Sequence, residues 1–406
     1  MNEWKQTTLG QFVSLQRGHD LPETVRQSGQ VPVMGSFGIT GWHNKARANG
    51  PGVTVGRSGA SIGVVSRVQD DYWPLNTCLF VTDFHGNNLH FAYYLLKTID
   101  LAGMNSGSAQ PSLNRNYVYP LPVSIPERLE QDRIADLLNN LDDKIDLNRR
   151  MNETLEEMAR ALFKDWFVDF GPTKAKMAGQ AAYLEGELWD LFPEQLDEAG
   201  VPEGWQNFQL AEIAKHCKNT ISPMKNPEKM FEHYSLPAFD NGQEPVLDSG
   251  ASIKSNKTVV PGESVLLSKL NPEILRVWLP HEETKSAQVA STEFLAFQPV
   301  LPVGRSLLFC LFSSPVFRQT LQGMVTGTSK SHQRVSPPAL LGLEVVSGSA
   351  SVFQAFESAV YPLLKRNLAN HLESRTLAQT RDLLLPKLMS GELRVRDTKA
   401  QLAEVL

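Results

Sequence analysis

The chain has 406 residues, 41% hydrophobic and 20% charged, with 28 Gly and 25 Pro, which allows two or three globular domains with separate cores. No apolar run approaches the roughly 20 residues of a membrane helix, and three dispersed cysteines (Cys78, Cys217, Cys310) build neither a disulfide framework nor a zinc site. The net charge of −5 excludes a globally basic nucleic-acid binder, so the charge has to be divided along the chain. Residues 1–125 carry 9 basic and 7 acidic side chains and residues 205–345 carry 13 and 12, so both blocks are faintly basic. The acidity lies in residues 126–170, with 7 and 12, and residues 171–204, with 2 and 7. The start of the chain lacks the charged and apolar pattern of a signal peptide, and a cytoplasmic location is expected.

In chain order, the first block opens on Trp4 and Leu9-Gly10-Gln11 and continues through short β-branched and aromatic runs broken by Gly, Pro, Asn and Asp. That texture predicts a strand-rich α/β fold with many turns. An apolar helical stretch at 91–97 is followed by a small polar loop from Met104 to Ser108. From 127 the texture changes, and no Gly or Pro occurs before Gly171. The spacing predicts a helix over 127–166, about 60 Å long at 1.5 Å per residue. Its seam alternates steps of four and three through Ile134, Leu138, Leu141, Ile145, Asn148, Asn152, Leu155, Ala159, Leu162 and Trp166.

The chain then repeats itself. Gly204-Trp205 and Leu210-Ala211-Glu212 open a second strand-rich block, with a helical stretch at 307–312 and a polar loop at 324–328. A second seam lies 222 residues after the first, at Phe356, Val360, Leu363, Asn367, Asn370, Ser374, Leu377, Arg381, Leu384 and Leu388. Both seams are apolar at their ends and polar in the middle, a pattern that suits an antiparallel helix pair crossing at its polar layer. Pro362 is expected to start or kink the second helix. The predicted architecture is α/β (α+β): two similar domains separated by an antiparallel pair of long coiled-coil-like helices, pseudo-two-fold. The boundaries are 1–125, helix 126–170, linker 171–189, second domain 190–345, helix 346–392 and tail 393–406.

Ala159-Arg160-Ala161-Leu162-Phe163-Lys164-Asp165-Trp166-Phe167 ends the first helix, and Arg381-Asp382-Leu383-Leu384-Leu385-Pro386-Lys387-Leu388-Met389-Ser390-Gly391-Glu392-Leu393 ends the second. With Leu188-Trp189-Asp190-Leu191-Phe192-Pro193, Val201-Pro202-Glu203-Gly204-Trp205 and Pro126 ahead of Glu130-Gln131, these strings resemble the specificity subunits of type I restriction–modification enzymes over essentially the whole chain. One departure is Ser347-Gly348-Ser349-Ala350-Ser351, which lacks the Pro and Glu-Gln expected before the second helix. The resemblance implies two target-recognition domains, each reading half of a split double-stranded DNA site. It implies helices that dock two methyltransferase subunits, and motor-nuclease subunits beyond them. S-adenosylmethionine, ATP and Mg are then expected on those partners and no cofactor on this chain.

The candidate contacts fall in two recurring places. Gly56-Arg57-Ser58-Gly59-Ala60-Ser61 lacks the lysine ending of a phosphate-binding P-loop. It reads either as a loop offering Arg57, Ser58 and Ser61 to DNA or as a tight turn with a solvated arginine; Lys269 and Asn271 stand at the matching point. Ser106, Ser108 and Gln110 leading to Asn114 and Arg115 are matched by Thr326, Thr328, Ser329 and Lys330 leading to Gln333 and Arg334. These are short donors and amides suited to base edges and phosphates, or ordinary hydrophilic loops. Asn148, Asn152 and Asn370 are assigned to helix packing, and Trp166 and Phe167 to core packing or partner docking. Asp142-Asp143 and Glu156-Glu157 read as a solvated face, and nine scattered histidines show no metal-ligand spacing. No Asn-Pro-Pro-aromatic methyltransferase motif, motor P-loop or nuclease cluster is found, so no catalytic residue is assigned. A methyltransferase-only adaptor, which neighbouring genes would identify, and a protein-binding helical scaffold, which leaves the duplicated loops unexplained, are the competing readings.

Overall fold

The computed structural model describes residues 4–107, 111–282, 284–325 and 333–395. Its contacts define two units, Met1–Asp146 with Thr376–Leu406, and Leu147–Arg375. Each unit takes in one end of a first long helix, Arg128–Phe167, and one end of a second, Ala350–Ser390. The expected mixed class of strand-rich blocks and long helices is observed.

Among its described residues the first unit has nine strands: β1 (Lys5–Thr8), β2 (Ser14–Arg17), β3 (Val31–Gly35), β4 (Gly38–His43), β5 (Gly52–Gly56), β6 (Val65–Val68), β7 (Trp73–Pro74), β8 (Cys78–Asp83) and β9 (Pro122–Ile125). They form an antiparallel sheet in the order β2-β8-β5-β6, a sheet β4-β3-β7 whose β3 and β7 run parallel, and a β1-β9 pair. Strand β5, Gly-Val-Thr-Val-Gly, is buried along its whole length because it lies between two neighbours, which its β-branched residues favour. The helix Leu89–Thr98 begins where Asn88 accepts the Phe91 N–H at 2.9 Å, and it buries Phe91, Tyr94, Leu95 and Leu96. That face packs with Leu9, Phe12 and Val55, and with Ile134, Leu138, Leu384 and Leu388 from the long helices.

The second unit has eleven among its described residues: β10 (Gln206–Gln209), β11 (Ala214–Cys217), β12 (Thr220–Ile221), β13 (Met230–Tyr234), β14 (Val246–Ser249), β15 (Lys257–Val259), β16 (Val265–Ser268), β17 (Val277–Trp278), β18 (Ala287–Ala290), β19 (Phe294–Pro299) and β20 (Glu344–Gly348). The order β11-β19-β16-β17 repeats β2-β8-β5-β6, and β14-β13-β18, again with a parallel β13-β18 pair, repeats β4-β3-β7. Strands β15 and β12 extend this second sheet. The repeat inferred from feature order is therefore a repeat of strand topology.

The long helices pack antiparallel within each unit. In the second unit Phe163 meets Phe356, Phe167 meets Phe353 and Asn152 meets Asn370, so numbers rise on one helix as they fall on the other. The expected polar layer is there: Asn148, Asn152, Asn367 and Asn370 are each at most 6% exposed. Asn148 donates to Glu373 at 2.8 Å, Asn370 to the Asn152 side-chain Oδ1 at 2.8 Å, and Asn367 to Glu156 at 3.2 Å. Amides that find partners only at this alignment fix the register of the pair. At two points the buried line shifts by one residue, to Phe163 and Leu364 where Leu162 and Leu363 were expected.

Two expectations are corrected. The second helix starts at Ala350, with Ser349 accepting the Val352 N–H, and runs unbroken past Pro362. Pro362 lies on the exposed face, where the carbonyl left without its N–H partner meets water. Asp142, read as part of a solvated face, is only 13% exposed in its side chain and joins a network in the first unit. It accepts from Tyr94 at 2.6 Å, from Arg381 at 2.7 Å and from Arg67 at 3.5 Å. Glu156 of the same reading is half-buried in the asparagine layer.

Candidate nucleic-acid interface

The candidate loops are held by main-chain hydrogen bonds that recur in both units. In the first, the Arg57 N–H donates to the Thr77 carbonyl at 2.9 Å and the Leu113 N–H to the Arg57 carbonyl at 2.8 Å. Ser58 bridges to Ser112, and the Gly59 N–H reaches the Pro111 carbonyl at 3.2 Å. In the second, Lys269 donates to Glu293 at 2.9 Å and receives from Val335 at 3.0 Å, Leu270 bridges to Arg334, and Asn271 donates to Gln333 at 3.0 Å. Gly59 and Asn271 are both left-handed, with φ of 79° and 49°, a conformation that glycine adopts freely and asparagine better than most. The correspondence of Arg57 with Lys269, drawn from sequence, is thus a correspondence of backbone geometry.

The first unit carries a cleft of about 630 Å³ beside this frame. Arg57, Ser106, Asn114 and Arg115 line it together with Gln16 and Arg17 of β2, which the sequence reading missed. A basic residue at the end of the first sheet strand recurs as Lys218 just after β11, and that repetition was the available signal. Arg57 donates to the Asn76 carbonyl at 3.3 Å and Arg115 to the Leu15 carbonyl at 3.0 Å, which aims both guanidinium groups. The backbone of Arg17 is held in the β2–β8 ladder opposite Leu79, and its guanidinium makes no hydrogen bond or ion pair with the described residues. Burial and the charge of Arg17 lower the pKa of Arg57 from its ordinary value. No carboxylate lines the cleft among the described residues. Three guanidinium groups with no balancing anion make a receptor for phosphate oxygens or guanine edges.

The other residues divide. Ser106 donates to the Ser112 carbonyl at 2.9 Å and Asn114 caps the short helix Arg115–Val118 through the Asn116 N–H, so both also shape the loop. Ser58 is on the frame; Ser61, half-buried, is not among the cleft residues. In the second unit Lys269, Asn271, Gln333 and Arg334 come together on the matching frame. Arg334 holds Glu293 through two hydrogen bonds of 3.0 Å, which raises its pKa. Ser108, Gln110, Thr326, Thr328, Ser329 and Lys330 lie outside the described residues. Trp166 and Phe167 are core residues, 1% and 5% exposed, packed with Phe192, Trp205, Phe353 and Phe356. Among the described residues no three His, Cys, Asp or Glu side chains group as metal ligands, and no helix is long and apolar enough to cross a membrane.

Residues 1–157 match the family described as the type I restriction modification DNA specificity domain. The chain is 25% identical over 338 residues to the type I restriction enzyme HindI specificity subunit of Haemophilus influenzae, covering 70% of this chain and 71% of that one. It is 26% identical over 322 residues to the MjaIX specificity subunit of Methanocaldococcus jannaschii, covering 76% and 69%. The type I restriction–modification S subunit of M. genitalium shares the fold, with a TM-score of 0.60 at 16% identity over 95% of this chain and 96% of that one.

Proposed function

We propose, for a chain that belongs to the specificity subunits of type I restriction–modification systems, that its two units read the two halves of one split and asymmetric DNA target. The observation that carries this reading is a repeated main-chain frame bearing different side chains. Where the first unit presents Arg57, Ser58 and Gly59, the second presents Lys269, Leu270 and Asn271. Base readout depends on which donors and acceptors meet each base edge, so one frame with two side-chain sets reads two sequences. Arg17, Arg57 and Arg115 would hold phosphates or a guanine, and Ser106 and Asn114 would add short polar contacts.

The chain itself performs no chemistry in this reading. Adenine methylation and ATP-dependent cleavage belong to two methyltransferase subunits and to motor-nuclease subunits, which bring S-adenosylmethionine, ATP and Mg. The long helices dock the methyltransferases and set the distance between half-sites. With net charges of only +2 and +1 on the two reading blocks, few phosphates can be neutralised, and the partners supply most of the sequence-independent affinity. The test is exchange of residues 205–345 for the equivalent block of a relative, followed by mapping of methylated adenines in cells that also express the methyltransferase subunit. One half of the motif should change and the other stay. Simultaneous change of both halves would refute the two-headed reading.

A further inference from the structure

Strands β3 and β4 pair Gly35 with Gly38, so the hairpin turns on two residues, Ser36 and Phe37. Such tips usually hold Asn or Gly, because their backbone conformations suit small or locally hydrogen-bonding residues. Here the tip carries a phenylalanine that is 66% exposed. An isolated apolar surface residue needs no explanation, but this one is anchored. The Ser36 hydroxyl bonds the carbonyls of Ser58 at 3.0 Å and Thr77 at 2.8 Å. Ser58 is the residue bridged to Ser112 on the cleft rim, and the same Thr77 carbonyl accepts the Arg57 N–H. Gly56 has no Cβ at the point where one would stand 2.3 Å from the Ser36 carbonyl oxygen, so the hairpin tip and the arginine loop lie against each other. The tip that carries Phe37 is thereby fastened to the loop of Arg57, whose cleft is lined by three arginines and no carboxylate. In the second unit β13 and β14 are joined through the helix Leu236–Asp240 instead of a two-residue tip.

We infer that Phe37 is a base-contacting, specificity-determining residue of the first unit, meeting the apolar part of a base while the adjacent arginines hold the backbone. This rests on the reading of the chain as a DNA-recognition subunit. Cationic loops place a duplex, and apolar side chains beside them reach thymine methyl groups or the faces of partly unstacked steps. Ile39 and Trp42, 51% and 53% exposed on the edge strand β4, offer the other occupant, a protein partner.

The test uses the assembled complex of this chain with its methyltransferase subunits, carrying Phe37→Ala or Phe37→Leu, with genome-wide mapping of methylated adenines and binding measured on the mapped duplex. Phe37→Ala should relax one position in the half-site read by the first unit, lowering discrimination there by about 5- to 150-fold, the range for one mismatched base pair. The other half-site should stay intact, and the slope of log affinity against log salt should not change, because no phosphate contact is lost. Phe37→Leu should retain part of the discrimination. An unchanged motif with unchanged discrimination would overturn the inference. Loss of assembly with the methyltransferase subunits would also overturn it, assigning Phe37 to a protein contact. A wild-type complex that methylates no split site would instead refute the DNA-recognition reading itself.

Discussion

Asp142 offers a sharp test of how the first recognition block is fastened to the helices. Its carboxylate, 13% exposed, takes hydrogen bonds from Tyr94 on the helix Leu89–Thr98, from Arg67 on β6 and from Arg381 on the second long helix. Arg67 also stacks over Tyr93 with its guanidinium carbon 4.6 Å from the ring centre. Asp142→Ala removes the carboxylate that all three groups share and leaves two guanidinium groups, 18% and 19% exposed, without it, while Asn139 Oδ1 still accepts from Tyr94 and Arg67. Breaking a fully buried pair in this way costs about 3–5 kcal/mol. Arg381 keeps Asp382 at 2.7 Å and both arginines retain some water, so the lower end, about 3 kcal/mol, is expected. For a unit between about 150 and 250 residues each kcal/mol lowers the melting temperature by about 2–4 °C, which gives about 6–12 °C. Asp142→Asn keeps an acceptor for Tyr94 and should lose about half as much. Differential scanning calorimetry of the full chain reads this directly. A shift below about 2 °C for the alanine variant would show that the network does not fasten the block.

Two further outcomes follow from charge. Arg17→Ala should reduce the salt slope of DNA binding by about 0.9, so that the wild-type advantage shrinks about 3.5-fold between 50 and 200 mM salt; an unchanged slope would place Arg17 away from phosphate. Burial works to raise the pKa of Glu232, but hydrogen bonds with His281, Gln288 and Thr284 outweigh it and hold the carboxyl at about 2 against an ordinary 4.5. A depressed folded pKa gives stability that is present above the unfolded value and lost as pH falls toward 2. Urea midpoints measured from pH 7 to 2.5 should therefore fall less steeply below about pH 4.5 in Glu232→Gln than in the wild type, and parallel curves would refute this.

What sequence made legible was whatever short-range periodicity encodes. The 222-residue echo of Ile134 and Leu138 in Phe356 and Val360 exposed both rods, and the polar middle of the two seams exposed the asparagine layer. The matching of Arg57 with Lys269 was legible because both follow a run of buried β-strand residues. Long-range pairing was not legible. Glu293 stands 41 residues before Arg334, and no local pattern announces that it occupies that guanidinium. Asp142 reads as a surface charge because its three partners come from three separate elements. Gln16 and Arg17 reach the cleft only because β2 pairs with β8 across the sheet, bringing them beside Leu79. Pro362 does not start the second helix, because it lies on an exposed face where the carbonyl left without its N–H partner can turn to water.

The frame under the reading loops consists of backbone donors and acceptors, with side chains only projecting from it. Arginine at one copy and lysine at the other, serine and leucine next to them, then glycine and asparagine, all sit on the same ladder. Replacements there leave the hydrogen bonds that hold the loop in place, so such a surface can drift in sequence at small cost to folding. New binding preferences can then arise by point change or by recombination of whole blocks, with only the third position restricted, to residues that tolerate a positive φ. A lineage carrying this protein can change what it recognises faster than it could rebuild what holds it together.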